Sequence, residues 1–355
     1  MASLKDVARL AGVSTSTVSR VINKSMPVSE ETTALVERAI RDINFKPNLL
    51  ARGLRMKKAK LIGIVVPEFQ SETFTNFVRF TEEYAEQHGY NIVVGCTDSN
   101  YDKEERLVES LLRRNIDGII FGRISDKSHT LKVLDQTRLP AVIIDRPLER
   151  EDIPSVFIDN YAAGRIVAQH LLSLGHEKFA CITGPQDIAI VRERTAGFCE
   201  TVRAAGKTIV DKAVVEGTFK YESGVAAIDF LLDTGKEFTA LWAQNDYMAI
   251  GAMNRLADRG FKVPEDVSVV GMDNVQMSWM LRPKLTTIAQ PLEEICRHAV
   301  DIVIRLSQQD KQTTQAKEGL VPQPQENEKI KVVLQPTLVV RDTTTIAPGK
   351  EPGKI

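Results

Sequence analysis

Over the first 45 residues, apolar positions recur every three or four residues, the spacing that lines one face of a helix. Ser3 stands where a helix cap belongs, with Asp6 three residues on, and Leu4, Val7, Ala8 and Ala11 form a short apolar stripe. Gly12 ends that stripe and frees the backbone for a sharp turn. Ser14 caps a second helix that turns Val18, Val21 and Ile22 inward. Ser29-Glu30-Glu31 opens a third, with Leu35, Val36, Ala39, Ile40 and Ile43 on its buried side, and Pro47 stops the pattern.

From Leu61 the pattern changes. Short continuous Val/Ile-rich runs predict strands at Leu61–Val66, Asn91–Thr97, Gly118–Phe121, Ala141–Asp145, Val156–Asp159, Phe179–Thr183, Val214–Gly217, Ala240–Ala243 and Val267–Gly271. Amphipathic stretches such as Phe74–His88, Lys103–Arg114, Ala162–Leu174, Glu193–Ala205, Ser223–Leu232 and Met248–Arg259 lie between them. That alternation predicts parallel sheets covered on both faces, and the length is more than one sheet usually holds. The expected fold is thus a small all-α headpiece followed by an α/β body of two parallel-sheet lobes. Residues 308–330, rich in Gln, Lys, Glu and Pro, predict a polar loop ahead of a last strand, Lys331–Val340. The predicted division is 1–47 for the headpiece, 48–60 for a linker, 61–342 for the body and 343–355 for a disordered tail.

Charge sharpens the division. Of the 355 residues, 46 are Lys or Arg and 47 are Asp or Glu, an overall charge of −1. Residues 1–60 hold twelve of the basic residues and five of the acids, so they carry +7 and the remainder −8. A basic module on an acidic body points to a polyanion as the partner of one end only. Two short helices around a tight glycine turn, closed by a third, make a helix-turn-helix. In that geometry Thr15, Ser16 and Arg20 face base edges, and Ser14, Thr17, Ser19 and Asn23 face phosphates. A plain three-helix bundle would account for the stripe but not for the charge.

The run Leu4-Lys5-Asp6-Val7-Ala8-Arg9-Leu10-Ala11-Gly12-Val13-Ser14, followed by Thr17-Val18-Ser19-Arg20-Val21-Ile22-Asn23, resembles the signature of the lactose-repressor/galactose-repressor family. Phe45-Lys46-Pro47-Asn48 and Ala51-Arg52-Gly53-Leu54 are similar to that family's hinge. The resemblance implies that the hinge becomes helical on operator DNA, with Asn48, Arg52 and Arg55 at the DNA and Leu54 as a wedge in the minor groove. An apolar wedge beside two arginines suits a kinked minor groove, and a segment so short and basic would not hold a helix alone.

In the body, polar groups stand alone at predicted strand ends: Asp145, Asp159, Asn245-Asp246, Asp273 and Gln290. Open parallel sheets bind ligands there, and carboxylates and amides near aromatic rings suit a polyhydroxylated molecule. Some of these acids have a plainer role as helix caps, Asp246 foremost. Gly271-Met272-Asp273, Leu285-Thr286-Thr287-Ile288, Asn245-Asp246-Tyr247-Met248-Ala249, Leu174-Gly175-His176 and Arg194-Thr195-Ala196-Gly197-Phe198 also look like family blocks. The resemblance implies a periplasmic-binding-protein-like body whose effector pocket falls on Phe74, Asp145, Arg194, Phe219, Asn245 and Asp273, with Gln290 near the crossover. The family's usual Asn-Pro-Phe-Phe is here Ser71-Glu72-Thr73-Phe74, which adds a carboxylate to the cleft floor, and Gly122 stands where some relatives place a polar contact.

Other classes are poorly supported. No phosphate loop, nucleophile elbow or His–Glu zinc pattern occurs, so an enzyme is disfavoured. Cys96, Cys181, Cys199 and Cys296 are far apart in apolar surroundings, which predicts reduced, buried thiols and neither metal nor cofactor. With no apolar run of spanning length and no signal-peptide core, the expectation is a cytoplasmic protein rather than a transport-type sugar binder. The expected function is that of a transcription regulator, acting as a repressor. It would bind double-stranded operator DNA as a homodimer or higher oligomer and answer to a sugar-like effector.

Overall fold

The computed structural model describes residues 3–23, 26–45, 59–122, 128–146, 148, 150–315 and 330–350, the side chains of Asn23 and of residues 310–315 excepted. The chain separates into two compact units, residues 1–60 and 61–355.

The first unit holds three helices, α1 (Leu4–Ala11), α2 (Thr15–Asn23) and α3 (Glu30–Asp42). Ser3 and Asp6 form a reciprocal capping box on α1, and those hydrogen bonds lower the Asp6 pKa. Gly12 closes the helix with φ 66°, donating its N–H to Ala8. Ser14 accepts from the Thr17 amide at 3.1 Å and Ser29 from the Thr32 amide at 3.3 Å, as capping residues do. Val7, Ala8, Ala11, Val18, Val36, Ala39 and Phe45 make the core, with Val21, Ile22, Ile40 and Ile43 packed against it. Leu35 departs from the expected stripe and is 49% exposed, because Val36 and Ala39 occupy the inward side of α3 and Leu35 lies a residue off it.

The second unit holds two six-stranded sheets. One has the order β11-β5-β4-β3-β1-β2, the other β12-β10-β9-β8-β6-β7. The first is built from β1 (Leu61–Val66), β2 (Asn91–Cys96), β3 (Gly118–Phe121), β4 (Ala141–Ile144), β5 (Ser155–Ile158) and β11 (Lys331–Leu334). The second is built from β6 (Lys178–Thr183), β7 (Thr208–Glu216), β8 (Ala240–Ala243), β9 (Ser268–Met272), β10 (Thr286–Ala289) and β12 (Thr337–Val339). Each lobe repeats one plan, with the second strand outside the first and the third to fifth on its other side. All neighbours pair in parallel except β10 with β12.

The helices between strands are α4 (Glu72–Gln87), α5 (Tyr101–Arg113), α6 (Thr130–Thr137), α7 (Asn160–Ser173), α8 (Ala189–Ala204), α9 (Tyr221–Asp233), α10 (Asp246–Asp258), α11 (Gln276–Met280) and α12 (Leu292–Gln315). The chain passes between lobes three times: from β5 to α7, from β10 to α12 and from β11 to β12. These crossings set the lobes side by side with the carboxyl ends of both sheets at their junction.

Three expectations change. The last predicted strand is two strands in different sheets, since Pro336 between them has no N–H to give to a ladder. The polar stretch begins as helix: α12 runs to Gln315, and residues 316–329 lie outside the described residues. The tail is anchored as far as Lys350. Thr343 is fully buried and bonds Val269 and Thr286, Thr345 bonds Ser268, and Ala347 donates to the Leu174 carbonyl. His176, itself buried among Thr239, Ser268 and Thr345, helps hold this strap, and burial pushes its pKa down to about 4.

Candidate functional site

On the headpiece, Thr15, Ser16 and Arg20 are exposed along one side of α2, while Thr17 and Ser19 are half-buried. The Ser14 hydroxyl lies 2.7 Å from that of Ser16 and 2.8 Å from that of Thr17, so the helix start presents a linked set of hydroxyls. The Asn23 side chain and Asn48, Arg52, Leu54 and Arg55 lie outside the described residues.

In the body, the expected site residues gather at the carboxyl ends of the strands. Asp145 follows β4, Asn245 follows β8, Asp273 follows β9 and Gln290 follows β10. Asp145 has φ 78°, Phe219 φ 64° and Asp273 φ 109°. A side chain bearing a Cβ reaches this region at a cost of order 1–3 kcal/mol, and such strain tends to collect at ligand sites.

Arg194 is the centre of the arrangement. It is 4% exposed, and its Nε donates to Oδ1 of Asn160 at 2.8 Å. Helices α7 and α8 carry these two residues and approach with backbones nearly touching: a Cβ on Gly164 would stand 2.1 Å from the Arg194 carbonyl oxygen. Gln244, fully buried, braces the same helix by donating to the Thr195 hydroxyl at 2.8 Å. Asn160 and Gln244 give no sequence signal of their own, since their role exists only once α7, α8 and β8 meet.

Asp273 accepts from Gln290 at 2.8 Å. Its carboxyl sits deep enough for desolvation to push its pKa up to about 6, although it keeps part of its surface open. Arg194 and Gln290 oppose that rise, while Asp145 and Glu72 add to it. One buried cation and three carboxylates therefore share a single field. Asp273 and Gln290 also open onto a cavity of about 470 Å³, lined further by Asn76, Phe80, Asn274 and Arg297.

Each lobe offers an aromatic ring seated on a glycine at a strand end. Phe74 in α4 lies over Gly122, where a Cβ would come within 3.2 Å of the ring. Phe219 covers Gly184 so closely that a Cβ would meet it at 2.1 Å. Asn245 differs from the expected picture, because its side chain is occupied: Oδ1 caps α10 at the Met248 amide, and Nδ2 donates to the Phe219 carbonyl at 2.7 Å. It positions Phe219, and it takes the capping role expected of Asp246. Asp246 is instead fully buried, accepting from the Val275 amide at 2.8 Å and the Thr287 hydroxyl at 2.6 Å, with its pKa raised by desolvation. Asp159, the remaining strand-end acid, caps α7 at the Ala162 amide.

Among the described residues no helix is long and apolar enough to cross a membrane. Residues 3–48 match the model of bacterial regulatory proteins of the lacI family, and residues 59–336 match that of periplasmic binding proteins and the sugar-binding domain of the LacI family. The chain is 34% identical to the HTH-type transcriptional repressor PurR of Vibrio campbellii, covering 97% of this chain and 98% of that one. It is likewise 34% identical to the ribose operon repressor of Escherichia coli, over 86% of this chain and 92% of the relative. A lac repressor dimer solved with operator and the anti-inducer ONPF superposes with a TM-score of 0.82 at 31% identity, covering 97% of this chain and 99% of that one. These matches span both units, and the chain belongs to the lacI family of bacterial regulatory proteins: it is a transcription regulator with a helix-turn-helix DNA-binding headpiece and an effector-binding body.

Proposed function

We propose that this regulator is a cytoplasmic repressor and not an enzyme, which binds a two-fold operator as a homodimer and is switched by a small, uncharged, polyhydroxylated molecule held between the lobes. Thr15, Ser16 and Arg20 read bases, Ser14, Thr17, Ser19 and Asn23 hold phosphates, and the segment with Asn48, Arg52, Leu54 and Arg55 enters the minor groove. One headpiece makes few base contacts, so two half-sites supply the affinity. The lac repressor structure, a dimer on its operator, supports that geometry by analogy.

The observation that carries the effector reading is the gathering of Asp145, Asp273 and Gln290 about buried Arg194, with the rings of Phe74 and Phe219 each seated on a glycine at a strand end of its own lobe. Carboxylates and amides accept and donate to hydroxyls, and rings cover the C–H faces of a sugar. A field of three carboxylates against one arginine disfavours phosphorylated or acidic sugars. A related regulator solved as a cellobiose complex, at 30% identity and a TM-score of 0.70, supports a sugar ligand.

The test is a thermal-shift panel of neutral sugars, sugar phosphates, uronates and purines, because a ligand bound only to the folded state raises its melting temperature. A neutral sugar is expected to raise it, and Asp273→Ala to abolish the shift while operator binding in a mobility-shift assay persists. An equal shift in Asp273→Ala, or stabilisation by sugar phosphates alone, would move the site or change the ligand class.

A further inference from the structure

The first turn of α11 is held by carboxylates from both lobes. The Val275 amide donates to Asp246 at 2.8 Å, a bond within the second lobe between groups wholly or nearly buried. The next amide, Gln276, donates to Oε1 of Glu72 at 2.7 Å, and Glu72 is the first residue of α4 in the other lobe, 204 positions away in sequence. Glu72 is half-buried and Gln276 exposed, so water competes for this bond as it cannot for its neighbour. Arg341 also donates to Ser278 within this short helix and to Asn274 two residues ahead of it. Outward it presents Met277, Trp279 and Met280, which are 46%, 48% and 53% exposed.

We propose that Glu72 is the latch between the lobes, a positioning residue that holds the cleft closed by gripping α11. A permanent anchor (Asp246) and a releasable one (Glu72) on adjacent amides make α11 the element that registers lobe separation. When the lobes part, Gln276 loses its acceptor while Val275 keeps its own, and the exposed Met277–Met280 surface shifts relative to the first lobe. On the effector reading above, on which this consequence rests, a molecule that alters closure in the cleft thereby alters an apolar surface on the outside of the body.

The experiment needs no ligand, so its failure is separate from failure of the effector reading. In the full chain, residue-resolved amide hydrogen exchange is compared between wild type, Glu72→Ala and Glu72→Gln. Gln276 is expected to exchange at least tenfold faster in Glu72→Ala, Val275 is expected to be unchanged, and Glu72→Gln, which keeps an acceptor oxygen, should restore most of the protection. Spin labels at Arg106→Cys on α5 and Glu222→Cys on α9, in a Cys96→Ser background, should report a longer or broader interlobe distance in Glu72→Ala. Unchanged Gln276 exchange, joint loss of protection at Val275 and Gln276, or an unmoved distance would each overturn the latch.

Discussion

The headpiece and the body organise their proposed recognition residues over different distances in the chain. In the headpiece the capping pairs, Ser3 with Asp6, Ser14 with Thr17 and Ser29 with Thr32, lie three residues apart. The expected reading face lies within six residues of one helix, beside its own cap. In the body, Arg194 meets Asn160 from 34 residues away, Asn245 meets Phe219 from 26, and Glu72 meets Gln276 from 204. Recognition written locally survives anything that leaves one helix folded. Recognition assembled from six strand ends depends on every connection that sets the lobes in register. Damage should therefore stay confined in the first case and spread in the second, and three measurements probe that contrast.

The largest effect is expected from truncation after Val340. Residues beyond it satisfy backbone and side-chain groups of the second lobe at several buried points: Thr343 supplies partners to the backbone of Val269 and Thr286, Thr345 to the side chains of Ser268 and His176, and Arg341 to the Leu285 carbonyl and the Ser278 hydroxyl. An orphaned buried group costs about 1–3 kcal/mol, so losing this strap removes at least about 5 kcal/mol from the body. Calorimetry should show the body's transition abolished or lowered by about 10 °C or more, with the headpiece transition in place. A body as stable as wild type would mean that the strap is ornamental.

Val18→Asp is the reciprocal test. Val18 is fully buried in a core of few side chains, and a carboxylate there costs roughly 3–4 kcal/mol, close to all that so small a unit possesses. Operator affinity should fall by more than about 100-fold, since a lost 3 kcal/mol in a marginal binding unit is a factor of that order. The body's melting temperature and its thermal-shift response should not move. A matching drop in the body's stability would show that the two units are coupled more tightly than local hydrogen bonding suggests.

The same contrast decides how much the sequence reveals. Caps, the glycine turn and the inward stripe of the headpiece are all short-range signals, and the structure keeps them with the single exception of Leu35. The strands of the body were legible as Val/Ile runs. Thr286–Ala289 was not, because two threonines interrupt its apolar run, and it is a strand by virtue of pairing with β9 and β12. At the site, residue type was legible but role was not. Asn245 and Asp246 are neighbours with similar side chains, and only the placement of Phe219, Val275 and Thr287 makes one a cap and the other a buried strut. The anchored tail was opaque for the same reason, since Thr343 and Thr345 become strap residues only against β9 and His176.

The smallest expected effect is also the one that isolates the body's charge cluster. Asp273 has a pKa of about 6 in the folded chain, above the ordinary aspartate value of 3.8, because desolvation together with Asp145 and Glu72 outweighs Arg194 and Gln290. An acid whose pKa rises on folding favours the native state while it is protonated. That contribution is complete below about pH 3.8 and is lost as pH rises through 6, so the ionised carboxylate is a burden at neutral pH. Asp273→Asn removes the burden and keeps a side chain that can bond Gln290. The variant is expected to match wild type near pH 4 and to exceed it at pH 8 by on the order of 1 kcal/mol, allowing for the partial exposure of the group. Urea unfolding of the body at the two pH values measures this directly. A gain independent of pH would assign it to packing instead of charge. A loss at pH 8 would mean that ionised Asp273 is stabilised by Arg194 more than burial penalises it, so that the two act as an ion pair and the carboxylate is no burden at neutral pH.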